Sequence, residues 1–211
     1  MRTSMKNVAK LSWIVGMALL AVAAGFGFYT THATPMSDVA HAPAASCNVS
    51  GFISSDTTWS PALCDPYIVT GSIIVQPDMT LTIEPGTTVR FTSLKALTVQ
   101  GALVARGTAN SLITFTSNQV NPAKGDWGYI HFTDSSTDAV LDENGNYVSG
   151  SILQYTIVEY AGGAGVAENG TVRIEGSTPF IDHTTIRQNN NDGIHFWDDM
   201  SDTDVAPLYI Q

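Results

Sequence analysis

The chain has 211 residues, 44% of them hydrophobic, with 9 Lys and Arg against 19 Asp and Glu. That length holds one good-sized domain. The acidic balance disfavours nucleic acid and anionic membrane surfaces as partners, because both need a basic footprint.

Arg2, Lys6 and Lys10 precede an apolar run over residues 11–28, LSWIVGMALLAVAAGFGF. A charged start followed by such a run is the pattern of an export signal. Residues 1–33 are therefore read as a signal peptide, cleaved near Ala33 or near Ala44 and Ala45. The run approaches the roughly 18 residues of a membrane span, so an uncleaved N-terminal anchor is the alternative and the only route to a membrane. Removing residues 1–33 leaves six basic residues against nineteen acidic ones, a net charge of −13. The mature chain is expected to be monomeric and secreted, or displayed on the extracytoplasmic cell surface.

Residues 34–46 (TPMSDVAHAPAAS) are rich in Ala, Pro and Ser without periodicity and read as a flexible spacer. Residues 47–66 then form an N-terminal cap, which a disulfide between Cys47 and Cys64 would staple in an oxidising compartment.

From residue 67 the chain shows short apolar-x-apolar dyads between turn residues and almost no helical periodicity. Ile73 with Val75, Leu81 with Ile83 and Val89 with Phe91 are followed by Leu97 with Val99, Leu103 with Ala105 and Ile113 with Phe115. Ile73 to Leu97, Val89 to Ile113 and Phe91 to Phe115 are each 24 positions apart, and Leu81 to Leu103 is 22. Alternate side chains of a strand share a face, so each dyad points two residues at one interior. One coil of three strands cannot bury that interior; the next coil stacked on it does, which predicts a solenoid.

The pattern continues with Ile130 and Phe132, Ile152 to Ile157, Val172 and Ile174, and Ile181 to Ile186. An offset of 29 lays Ile152, Thr156 and Ile157 on Ile181, Thr185 and Ile186, and GYIHF has a counterpart in GIHF at Ile194 and Phe196. That offset matches Asp182 with Leu153, Arg187 with Val158 and His183 with Gln154. Residues 134–150 exceed a coil corner and read as an inserted hairpin turning at Asn144-Gly145. Asn189, Asn190 and Asn191 mark a corner, because Asn tolerates left-handed backbone and can bond neighbouring turns.

The stretch YIVTGSIIVQPDMTLTIEPGTTVRFTSLKALTVQGALVARGTANSLITFTS, residues 67–117, resembles the opening coils of secreted bacterial right-handed parallel β-helix proteins of the pectin-lyase-like superfamily. WGYIHF and ILQYTIVEYAGG resemble the coils that follow in them. The resemblance implies an all-β, right-handed parallel β-helix with three short strands per coil. It also implies a superfamily of pectate lyases, polygalacturonases, epimerases and adhesins, in which fold does not fix activity. The sequence stops at Gln211 inside what reads as a new strand, PLYIQ, without a capping element, so it is expected to be the N-terminal part of a longer solenoid.

From Asp126 onward fourteen acidic residues face only Arg173 and Arg187 as cations. Asp198, Asp199, Asp202 and Asp204 in FWDDMSDTD form a candidate metal loop, with calcium the cation such carboxylates would take. His195, Trp197, Asp198 and Asp199 are candidates for a sugar subsite. A lyase would need carboxylates on adjacent coils and a nearby base, for which Asp182, Arg187 and Asp192 are the catalytic candidates. Asp142, Asn144 and Asn146 loosely follow calcium-loop spacing, but Tyr147 stands where Gly is needed and Leu153 where Glu is needed. No GxSxG, P-loop or HExxH occurs. These observations favour a non-catalytic scaffold for adhesion or binding to polysaccharide or cell-envelope glycan over part of a polysaccharide lyase, hydrolase or epimerase.

Overall fold

A computed structural model describes residues 44–167, 169–197 and 209–210. Residues 1–43, which include the expected leader and most of the expected spacer, lie outside the described residues. Apart from one two-stranded hairpin, the described strands pair in parallel and stack as a β-solenoid of three sheets.

The first two long strands, Cys47–Ile53 and Tyr67–Val75, turn a corner and serve two sheets at once. Their first halves open a sheet continued by Thr88–Phe91, Ile113–Ser117, Thr156–Glu159 and Thr185–Arg187. Their second halves open another, continued by Leu97–Val99, Ile130–Phe132, Gly170–Glu175 and Asp192–Trp197. The third sheet runs Thr57–Trp59, Thr80–Ile83, Ala102–Arg106, Ile152–Gln154, Phe180–Asp182 and Tyr209–Ile210.

Columns of like residues fill the interior. Ile73, Leu97, Ile130, Val172 and Ile194 stack on the second sheet, and Trp59, Ile83, Ala105, Leu153 and Ile181 on the third. All six dyads of the first two coils are buried. The Cys47–Cys64 disulfide closes the first coil with a Cα–Cα distance of 5.6 Å.

Two register expectations are corrected. Val89 stacks on Phe115 and Phe91 on Ser117, an offset of 26 rather than 24. Alternation sets which face a residue takes, but a slip of two residues leaves every face unchanged; packing decides. Ser117 is small, and Trp127 fills the interior beside it, stacking on Phe91 at 4.0 Å between ring centroids and 8° between planes.

Further along, Leu153 stacks on Ile181 and Val158 on Ile186, so the offset is 28 rather than 29. Ile152 then points to the outer side of its strand, yet it is fully buried. Residues 134–150 explain this. Val140–Leu141 and Tyr147–Ser149 pair as an antiparallel hairpin anchored over the third sheet: Ala139 N–H donates to Thr178 O at 3.0 Å and Thr178 N–H to Asp138 Oδ1 at 2.7 Å. Tyr147 reaches Phe180, with 6.2 Å between rings. The cover makes both sides of the strand apolar, so its sequence no longer tells in from out. At the hairpin tip, Asp142 Oδ1 accepts the backbone N–H groups of Asn144 and Asn146, both at 2.8 Å. The side-chain amide of Asn146, and after it the backbone bonds, hold the Asp142 carboxyl below its ordinary value. The calcium-like spacing is thus a turn closed on its own backbone.

The Asn run forms a corner. Asn189 Oδ1 accepts the Ala161 N–H at 2.7 Å while its Nδ2 donates to Val158 O at 3.1 Å, and Asn191 adopts φ of 62°. Removing both bonds leaves partly buried backbone groups unpaired, so Asn189→Ala is expected to cost about 2 kcal/mol. Urea unfolding measures it, and a midpoint unchanged from wild type would show that water replaces the side chain.

Candidate functional site

In strands Ile130–Phe132, Gly170–Glu175 and Asp192–Trp197, the residues that alternate with the inward apolar ones lie on the outer side of the second sheet. Parallel register sets His131 beside Arg173, Arg173 beside His195, and Glu175 beside Trp197. Three neighbouring coils thereby bring two imidazoles, a guanidinium, a carboxylate and two aromatic rings into one patch.

Arg173 lies over the Tyr129 ring at 4.5 Å and over the Trp197 ring at 5.0 Å, and its Nη2 donates to Ala167 O at 3.3 Å. It is 8% exposed. Cation–π contacts of this kind strengthen when water is excluded. His131 stacks on Trp197 at 5.5 Å and meets Tyr129 edge-on at 5.9 Å. Burial first, and then the Arg173 guanidinium, push the His131 imidazole down to about 4. The ring is therefore neutral at pH 7, and its Nε2–H donates to Glu175 Oε2 at 3.1 Å. That bond sets the tautomer and leaves Nδ1 as an acceptor. His195 Nδ1 lies 3.1 Å from Asp192 Oδ2, and its ring is 5.7 Å from Trp197.

Of the ligand candidates, His195 and Trp197 are brought together here. Asp198, Asp199, Asp202 and Asp204 lie outside the described residues. Among the described residues, no group of three or more His, Cys, Asp or Glu is arranged to hold a metal ion.

The catalytic candidates do not converge, because each belongs to a different sheet. Asp182 is on the third, Arg187 on the first and Asp192 on the second. The 28-residue register also supplies ladders that a 29-residue offset hides. Arg106 Nε donates to Gln154 Oε1 at 3.1 Å, and Gln154 Nε2 donates to Asp182 Oδ2 at 2.6 Å. Asp182 also binds His183, which aligns with Tyr155 rather than Gln154 and stacks on it at 4.6 Å. Arg187 Nε meets Glu159 Oε2 at 2.9 Å, and Thr116 Oγ1 donates to Glu159 Oε1 at 3.0 Å. Both ladders tie successive coils together.

Tyr129, His131, Arg173 and Glu175 were not legible as site residues. The match of GYIHF to GIHF carried the signal, but those segments are two coils apart. Only with TVRIEG placed between them does Arg173 fall on His131.

No curated protein and no solved structure matches the chain. Residues 51–204 match the family model of the pectate-lyase-like β-helix domain. With parallel coils, three sheets and a family match over most of its length, the chain belongs to the pectate-lyase-like β-helix family.

Proposed function

We propose that the chain is an exported, non-catalytic β-helix scaffold that binds polysaccharide or cell-envelope glycan at the extracytoplasmic surface. The observation that carries this reading is the aromatic patch of the second sheet, where Tyr129 and Trp197 flank His131 and Arg173. Aromatic rings offer an apolar face to a sugar ring while polar neighbours take its hydroxyls. A stiff sheet holds these groups in place without ordering cost on binding. The disulfide and the leader-like first 33 residues support export. The separation of Asp182, Arg187 and Asp192 onto three sheets supports a binding rather than a catalytic role.

Trp197→Ala is expected to weaken glycan binding at least about ten-fold, in line with the cost of losing an aromatic anchor, while the far-UV spectrum is retained. Titration with glycans chosen from a broad array measures it. Wild-type protein that binds no glycan on the array and no envelope material would end the proposal. The second reading is part of a polysaccharide lyase, hydrolase or epimerase, favoured by the family and by the His131–Glu175 pair beside Arg173. Depolymerisation of polyuronides, with or without calcium, would replace the scaffold reading.

A further inference from the structure

The patch on the second sheet has acceptors to offer and few donors. Glu175 and Asp192 are carboxylates at its surface, Asp192 with 68% of its side chain exposed. A third, Asp134, packs against Gly176, where an added Cβ would stand 2.6 Å from Asp134 Oδ1. The cationic side is already engaged: Arg173 is buried under two rings and bonded to Ala167 O. A carboxylate ligand is recognised best by a guanidinium edge in bidentate contact, and an Arg that is 8% exposed presents little edge.

A second observation points the same way. Asn169 donates its Nδ2 to Gly162 O and Ala164 O, whereas its Oδ1 is buried with no partner among the described residues. Thr171, on the same side of its strand as Arg173 and Glu175, is fully buried, and its hydroxyl also has no partner among the described residues. Buried polar atoms are almost always paired, so such atoms in a native structure call for a ligand or water. An unpartnered amide oxygen needs a donor, and the neighbouring hydroxyl can both donate and accept. Sugar hydroxyls, on neutral sugars and uronates alike, supply both; what a uronate adds is a carboxylate, an acceptor alone, facing Glu175 and Asp192.

We infer that the glycan bound at this patch is a neutral, hydroxyl-rich saccharide whose hydroxyls donate to Glu175, Asp192 and Asn169, and that the patch discriminates against uronates. The inference rests on the glycan-binding reading above and narrows it to one substrate class.

The test is calorimetric titration of the full chain with neutral oligosaccharides and with oligouronates of equal length, at low and at high salt. Neutral glycans are expected to bind at least about ten-fold tighter at low salt. The gap should narrow at high salt, because screening weakens repulsion between the carboxylates and the uronate. In Glu175→Gln, with folding checked by far-UV circular dichroism, the preference is expected to shrink, since one of the repelling charges is gone while a hydrogen-bonding side chain of the same size remains. Uronates bound as tightly as or tighter than neutral glycans would overturn the inference and leave the glycan-binding reading standing. A preference untouched by Glu175→Gln would also overturn it. Binding of neither class would bring down both.

Discussion

Trp127→Ala is expected to destabilise the fold by about 3–5 kcal/mol, the range for emptying a buried aromatic site. Trp127 is fully buried, stacks on Phe91, and donates its indole N–H to Glu159 O at 2.8 Å. Its backbone N–H donates to Tyr160 O, so loss of the ring opens a cavity between two coils. The coil interior cannot collapse onto the hole, because strand spacing is held by ladder bonds above and below. Against a typical total of about 5–15 kcal/mol, one substitution removes a large share. Trp127→Phe retains the stacking and loses the N–H bond, and is expected to cost closer to about 1–2 kcal/mol. Urea unfolding of both variants measures the difference. Equal losses for Ala and Phe would assign the effect to the hydrogen bond instead of the packing.

The second large effect is on stability against pH. The His131 imidazole is held at about 4 in the folded chain, against 6.5 for an unperturbed histidine. The folded state therefore resists a proton that the unfolded state accepts, and stability falls as pH drops below the unfolded value. The penalty is absent at pH 7, grows from pH 6.5 downward and levels off near pH 4. By pH 4.5 it amounts to roughly 2–3 kcal/mol. The side chain is only 12% exposed, so water screens little of this. His131→Gln, which cannot take up the proton, is expected to lose less stability between pH 7 and pH 4.5 than wild type. Chemical denaturation at the two pH values gives the comparison; parallel losses in the two proteins would show that His131 is not the group responsible.

The site and the fold differ in how far they could be read from residues alone. Regular dyads such as Ile73-x-Val75 and Leu97-x-Val99 disclose the solenoid, because side-chain alternation is a local property of a strand. The disulfide partners are legible too, since only two cysteines exist. Registers are less so. Val89 sits on Phe115 because Trp127 completes the layer, and Ile152 is apolar because the hairpin covers it. Both causes lie in residues distant along the chain.

Short strands, sharp turns, a hairpin within residues 134–150 and an acidic balance can all be read from the residues alone. Which polar side chains meet depends on how the coils stack. Asp182, Arg187 and Asp192 lie within eleven residues of one another and end on three sheets, whereas Tyr129 and Trp197 are far apart in sequence and flank one guanidinium. The reason is geometric. A solenoid turns neighbours in sequence towards different faces and stacks residues a whole coil apart, so a shift of one residue in register changes every partner across the sheet.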